Sequence, residues 1–146
     1  MKAIILSLLL CLVISYDTEA AVNYAKEHCN NYNPKYSNFG LGSESANFVS
    51  QCLLAGGFDF LGCPGVNDKG VIVSIAALRN CLISKGWRRT QGMSKQFKAG
   101  FPIFKGNSYV MIASSVEQKE AKICGHAPDT CNQSLPASDS YLYFFK

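Results

Sequence analysis

The chain has 146 residues, of which 48% are apolar and 16% are charged, and its formal net charge is +4. This length suits one domain with a packed core, and the composition excludes an intrinsically disordered chain. The positive charge is mild and dispersed, with Arg88-Arg89 as the only basic pair, which we assign to a solvated turn. We therefore expect no nucleic-acid partner.

The N-terminus carries the pattern of a secretory signal peptide. Lys2 precedes the apolar run 3–14, and small and polar residues follow it. This run is shorter than the about 20 residues that span a bilayer. We expect cleavage after Ser15, or alternatively after Ala20, which leaves one exported domain over residues 16–146 without a membrane segment. The sequon Asn132-Gln133-Ser134 becomes relevant if the export route glycosylates.

Six cysteines remain once Cys11 leaves with the signal peptide, namely Cys29, Cys52, Cys63, Cys81, Cys124 and Cys131. In an exported domain they predict up to three disulfides, whose pairing the sequence leaves open. Cys124 and Cys131 are close enough to close a small loop, and we expect that pair. The even count leaves no obvious free thiol for catalysis. Because no short-spaced Cys or His pairs occur, we expect neither a metal site nor a cofactor.

The hydrophobic periodicity predicts helices first and strands second. Helices are expected over residues 19–30, from Ser45 to Gly56-Gly57, and over residues 71–85, where Gly86 closes the last one. Runs rich in Val, Ile, Tyr and Phe predict strands over residues 101–104, 108–114, 120–124 and 141–145. This order predicts an α+β domain whose N-terminal helices pack on a small antiparallel sheet.

Five segments carry a resemblance to a known family. They are AVNYA (21–25), NPKYSNF (33–39), ANFVSQCLLAGG (46–57), NSYVMIA (107–113) and CGHAPDT (124–130). In this order they resemble the putative amidase domain family, a branch of the papain-like cysteine hydrolases related to bacterial cell-wall peptidases. The resemblance covers nearly the whole mature chain, and it implies a papain-like fold and hydrolysis of amide bonds in peptides or cell-wall fragments.

The resemblance also implies which positions carry the chemistry. The family's nucleophilic cysteine corresponds to Ser45, its histidine base to Tyr109, and its third, orienting polar residue to His126. A nucleophile at the start of a helix benefits from the positive end of the helix dipole. Here the cysteine and the histidine are both replaced, so the family mechanism lacks two of its three groups.

Two functional hypotheses follow from these replacements. A serine needs a general base within hydrogen-bond reach, and a tyrosine with an ordinary pKa near 10 is a poor base at pH 7. We therefore favour a secreted, catalytically impaired pseudoenzyme in which Ser45 serves as a helix N-cap. The alternative is an active amidase or peptidase in which Ser45 attacks and His126 acts as the base, and we expect that His126 does not reach Ser45.

The inherited groove is the expected binding surface. Glu44, Asn47, Tyr36, Phe39 and Trp87 are the candidate ligand-binding residues, and Tyr109 is expected to fill the former cleft. For Tyr36, Phe39, Trp87 and Tyr109, a place in the core or at the rim is the competing interpretation. A peptide or a cell-wall fragment is the expected partner, and a disulfide-rich structural or effector protein without a ligand is a third hypothesis.

Overall fold

Three helices come first in the computed structural model, which describes residues 15–146. They are α1 (Thr18–His28), α2 (Glu44–Ala55) and α3 (Ile75–Ser84). Asp17 caps α1 by accepting a hydrogen bond from the backbone N–H of Ala20, and Ser74 caps α3 in the same way through Ala77. The signal-peptide prediction falls almost entirely on residues 1–14, which lie outside the described residues.

The start of α2 differs from the prediction. Ser45 is not the N-cap but the second residue of the helix, because Ser43 occupies the capping position. The Ser43 side chain makes no capping hydrogen bond, and the backbone N–H of Glu44 instead donates to the carbonyl of Gly40 at 3.0 Å. The third helix also begins later than predicted, since Ile72 pairs with Val66 in an isolated β-bridge before the helix starts.

Six strands form one antiparallel sheet in the order β1-β6-β2-β3-β4-β5. Their bounds are β1 (Arg88–Gln91), β2 (Pro102–Lys105), β3 (Tyr109–Glu117), β4 (Glu120–Gly125), β5 (Thr130–Pro136) and β6 (Leu142–Phe145). The α+β class is therefore confirmed, and the four predicted strands correspond to β2, β3, β4 and β6.

The sequence analysis missed the two edge strands, β1 and β5. Edge strands are largely solvated, and both of these strands contain few apolar residues. They therefore lack the runs of apolar residues by which the inner strands were predicted. Assigning Arg88-Arg89 to a turn was wrong, since both residues belong to β1 and pair with Phe145 and Phe144. The guanidinium carbon of Arg88 lies 5.0 Å from the centre of the Phe145 ring.

The C-terminal end of α2 is closed by an aromatic cluster. Trp87 contacts the rings of Tyr16, Phe58 and Phe101 at centroid distances of 5.3, 5.9 and 5.2 Å. The Tyr16 hydroxyl donates to the carbonyl of Gly100 at 2.6 Å, and the backbone N–H of Asp17 donates to the carbonyl of Gly56 at 2.8 Å. Trp87 is 4% exposed, so it is a core residue, and its remaining surface borders a small pocket of about 160 Å³ together with Tyr16 and Phe58.

The expected Cys124–Cys131 disulfide is wrong. The disulfides join Cys29 to Cys131 and Cys63 to Cys81, with Cα–Cα distances of 5.4 and 5.3 Å. Between Ile123 and Gly125, the β4–β5 register shifts by one extra residue on β5. At this shift Cys131 bonds to Cys29 at the end of α1, while the Cys124 side chain is buried.

Within residues 15–146, two thiols therefore remain free, contrary to the prediction from the even count of the six cysteines there. Cys52 on α2 and Cys124 on β4 are both fully buried. Burial raises the pKa of the Cys52 thiol, and the neighbouring Cys124 raises it further. A buried thiol with a raised pKa is protonated at neutral pH, so Cys52 is not a candidate nucleophile.

Candidate functional site

The first turn of α2 carries a run of buried polar residues. Glu44 and Ser45 are each 2% exposed, and Asn47 is fully buried. Polar groups are rarely buried in this way unless they have hydrogen-bond partners, so the contacts at this end of the helix matter for the stability of the fold. The partners come from the end of α1, from the loop before α2 and from the turn after β4.

Glu44 collects three hydrogen bonds through its two carboxylate oxygens. Oε2 accepts from the backbone N–H of Phe39 at 2.9 Å and from Nδ2 of Asn47 at 3.0 Å. Oε1 lies 2.9 Å from Nδ1 of His126. Burial alone raises the pKa of Glu44, but these hydrogen bonds outweigh it, and the pKa lies below its ordinary value. Glu44 is therefore a carboxylate at neutral pH.

His126 uses both of its ring nitrogens. Nε2 donates to the backbone carbonyl of His28 at 2.8 Å, because a carbonyl can only accept. The contact between Nδ1 of His126 and the Glu44 carboxylate is therefore a buried hydrogen bond that joins α2 to the turn after β4. His126 is 1% exposed and follows β4 directly, in the turn to β5 and not on a strand.

Two aromatic rings enclose the His126 imidazole. Tyr32 stacks on one side at a centroid distance of 3.9 Å and an interplanar angle of 4°, and Phe48 stacks at 3.9 Å and 25°. The Tyr32 hydroxyl also donates to the Asp129 carboxylate. Sequence reasoning did not single out Tyr32, because no motif marks a tyrosine whose partner is 94 positions away.

Ser45 takes no part in this network. Its hydroxyl oxygen is buried and has no hydrogen-bond partner among residues 15–146. Both nitrogens of His126 are already bonded elsewhere, so the ring is not positioned to accept the Ser45 proton. Ser45 is 2% exposed, so its hydroxyl is enclosed in this structure.

Tyr109 is the first residue of β3, and it lies apart from Ser45. Side chains alternate along the strand, and Ile112 shares its face with Cys124, so Tyr109 and Met111 belong to the opposite face. There they line a half-open pocket of about 490 Å³ together with Ile123. The Tyr109 hydroxyl donates to the Pro128 carbonyl at 3.2 Å, and burial raises its pKa further above the ordinary value. The ring packs against Gly125, the residue before His126, and the filling of the former cleft by Tyr109 stays a prediction.

The remaining candidates separate into buried and exposed residues. Nδ2 of Asn47 donates to the Ser37 carbonyl at 2.9 Å as well as to Glu44, so this amide ties the preceding loop to α2. Phe39 is 44% exposed and Tyr36 is half-buried in that same loop. Of the proposed ligand-binding residues, these two are the ones that a ligand can reach without a change in the fold.

Two further observations concern metal sites and membrane-spanning helices. Within residues 15–146, no cluster of three or more His, Cys, Asp or Glu side chains has the arrangement of a metal site. In the same part of the chain, none of the helices combines the length and the apolar character needed to cross a bilayer.

The first part of the chain matches a family of known proteins. The profile of the family described as "Putative amidase domain" matches residues 15–101, more than half of the chain. The uncharacterized protein YhbB of Bacillus subtilis (strain 168) is 47% identical over 49 residues, which cover 34% of this chain and 15% of that protein. The chain thus spans only a small part of that relative's length. No solved structure matches.

The family match contains the helices and the buried turn described above. It includes α1, α2 and α3, with Glu44 and Ser45 in its middle, and it ends before Tyr109 and His126. Ser45 therefore lies inside the matched region. The assignment of Tyr109 and His126 to family positions rests on the motif resemblance alone. On the strength of this match, the chain belongs to the putative amidase domain family.

Proposed function

We propose that this protein is a secreted amidase-like domain that does not turn over substrate and that binds peptides or cell-wall fragments. The burial of the Ser45 hydroxyl carries the proposal, because a serine hydrolase needs its nucleophile open to the substrate and in contact with a base. The proposal includes a papain-like arrangement of helices and sheet, in line with the motif resemblance.

The Glu44–His126 pair supports the loss of turnover. In a working hydrolase the acid orients the histidine and one ring nitrogen stays free to take a proton. Here one ring nitrogen contacts Glu44 and the other donates to a backbone carbonyl, so both are engaged away from Ser45. We infer that this pair now stabilises the fold.

The proposed binding surface is the loop that precedes α2. Phe39 is substantially exposed there and Leu41 is 88% exposed, so two apolar side chains stand next to the buried turn. Tyr36 adds a half-buried ring in the same loop. Exposed aromatic and apolar side chains near a polar rim are typical of peptide contacts.

The alternative function is an active amidase or peptidase with Ser45 as the nucleophile. Membership of the amidase family favours it. It requires His126 to leave the His28 carbonyl and to turn towards Ser45, which breaks a 2.8 Å hydrogen bond and the stacking of two rings.

The experiment compares the mature protein with Ser45→Ala and with the control Ser43→Ala. Each protein is incubated with muropeptides and with simple peptide amides, while product release is followed by mass spectrometry and binding by calorimetry. We expect no turnover by any of the three and equal binding by all. Turnover that is present in the natural protein and in Ser43→Ala, but absent in Ser45→Ala, would establish the active hydrolase instead.

We also propose that the signal peptide is cleaved after Ser15. Two contacts support this site over cleavage after Ala20: the Tyr16 hydroxyl bonds to Gly100, and the Asp17 side chain caps α1. Cleavage after Ala20 removes both. N-terminal sequencing of the exported protein should therefore start at Tyr16, and a start at Ala21 would contradict the proposal.

A further inference from the structure

The strand β5 is an exposed edge of the sheet. It pairs with β4 on one side only, and its residues Asn132, Gln133 and Ser134 are all exposed. These three residues form the only Asn-x-Ser/Thr sequon in the chain. A sequon of this kind is used only where the asparagine is reachable and the folded domain has room for a large polar group.

The geometry of Asn132 meets that requirement. Its backbone adopts a left-handed conformation with φ 51°, and its N–H donates to Sγ of Cys124 at 3.4 Å. The side-chain oxygen Oδ1 accepts a hydrogen bond from the hydroxyl of Ser114 at 2.8 Å, and Ser114 is 3% exposed. Because Oδ1 is directed to this buried hydroxyl, the amide nitrogen Nδ2 is directed away from it. Nδ2 makes no hydrogen bond within residues 15–146.

We propose that Asn132 is an N-glycosylation site of this protein, an inference that rests on the proposed export. The donor is an oligosaccharide linked to a lipid pyrophosphate. Nδ2 forms an N-glycosidic bond to the anomeric carbon, the bond between that carbon and the phosphate oxygen breaks, and the lipid pyrophosphate leaves while the amide loses one proton. The bond from Ser114 to Oδ1 remains intact, since Oδ1 takes no part in the new linkage.

A glycan at this position has a physical consequence for the sheet edge. Exposed edge strands present unpaired N–H and C=O groups, through which sheets of different molecules associate. A bulky hydrophilic group on Asn132 shields the middle of β5 from such pairing. Gln133 and Ser134 also line the half-open pocket of Tyr109, so the glycan stands at the rim of that pocket.

The test uses a eukaryotic secretory host and two versions of the protein. One version is the full chain, and the other has a leader of proven function in place of residues 1–15. The variant Ser134→Ala removes the sequon without touching the contact between Asn132 and Ser114, and Asn38→Gln is the control at an exposed asparagine outside a sequon. A glycoprotein of the host, collected from the same cells, reports that oligosaccharide transfer is active.

Glycosylation is scored in both lysate and medium, by the mass before and after peptide-N-glycosidase and by the conversion of Asn132 to Asp in ¹⁸O-labelled water. We expect a glycan on the natural sequence and on Asn38→Gln, and none on Ser134→Ala. An unmodified Asn132 in protein that has been secreted behind the proven leader would overturn the proposal. Glycosylation with the proven leader alone would reject the proposed signal peptide and retain the site.

Discussion

The two ends of helix α2 are closed by different kinds of chemistry. At its first turn, Glu44 and His126 form a buried pair enclosed by Tyr32 and Phe48. At its last turn, Tyr16 and Trp87 pack with other aromatic rings, with one hydrogen bond from Tyr16 to Gly100. The first end depends on a buried carboxylate and its hydrogen bonds, whereas the second depends mainly on apolar burial.

Because of this difference, the two ends should lose different amounts of stability when a residue is substituted. A buried pair that loses one partner leaves an uncompensated charge, which costs far more than the pair contributes when intact. An apolar cluster loses stability roughly in proportion to the atoms removed. We therefore expect the polar end to respond sharply to small chemical changes and to pH, and the aromatic end to respond weakly to both.

The largest effect is expected from Glu44→Gln. The substitution replaces a buried carboxylate that is held by three hydrogen bonds with a neutral amide, so the free energy of unfolding should fall by about 3–5 kcal/mol. Urea denaturation at pH 7 measures the change. Glu120→Gln, at an exposed position on β4, is the matched control and should stay within about 0.5 kcal/mol of the natural protein. Equal effects of the two variants would show that the buried pair contributes nothing.

A smaller effect is expected from loss of the disulfide beside the polar end. Replacing both Cys29 and Cys131 by serine should lower the free energy of unfolding by about 2–4 kcal/mol. The matched control is the double replacement of Cys63 and Cys81. The sequence separations are 102 and 18 residues, so chain entropy predicts a larger loss for the first pair. A larger loss for the second pair would contradict this order.

Acidification should act on the polar end. The pKa of Glu44 is lower in the folded protein than in the unfolded chain, so its contribution is complete above the unfolded value of about 4.3. This contribution disappears as the pH falls through the folded value. Unfolding curves of the natural protein and of Glu44→Gln, measured from about pH 7 down to about pH 2, should therefore converge. A constant difference across this range would exclude the linkage.

The smallest effect is expected at the aromatic end. Tyr16→Phe keeps the ring in its cluster and removes only the hydrogen bond to the Gly100 carbonyl, so the loss should be about 1 kcal/mol. Burial raises the pKa of Tyr16 far above its ordinary value, so its hydroxyl stays protonated between about pH 4 and about pH 8. The loss of stability in Tyr16→Phe should therefore be the same across this range. A loss that depends on pH in this range would place a titrating group in the aromatic cluster.

Much of the fold was predictable because it follows local patterns. The three helices and the four inner strands have the periodicity and the turn residues that define such elements. The edge strands β1 and β5 lack an apolar pattern, and the Cys29–Cys131 disulfide joins residues 102 positions apart. Spacing along the chain favoured Cys124 as the partner of Cys131, but the register shift in β5 decided otherwise.

For the candidate site, the sequence by itself determined the family motif and the presence of Glu44, Ser45 and His126. Only the tertiary structure decided that Glu44 pairs with His126, that Tyr32 encloses the ring, and that Tyr109 lies on the other face of the sheet. The physical reason is that sequence fixes which groups are available, whereas hydrogen bonds and stacking depend on distances between segments far apart in the chain.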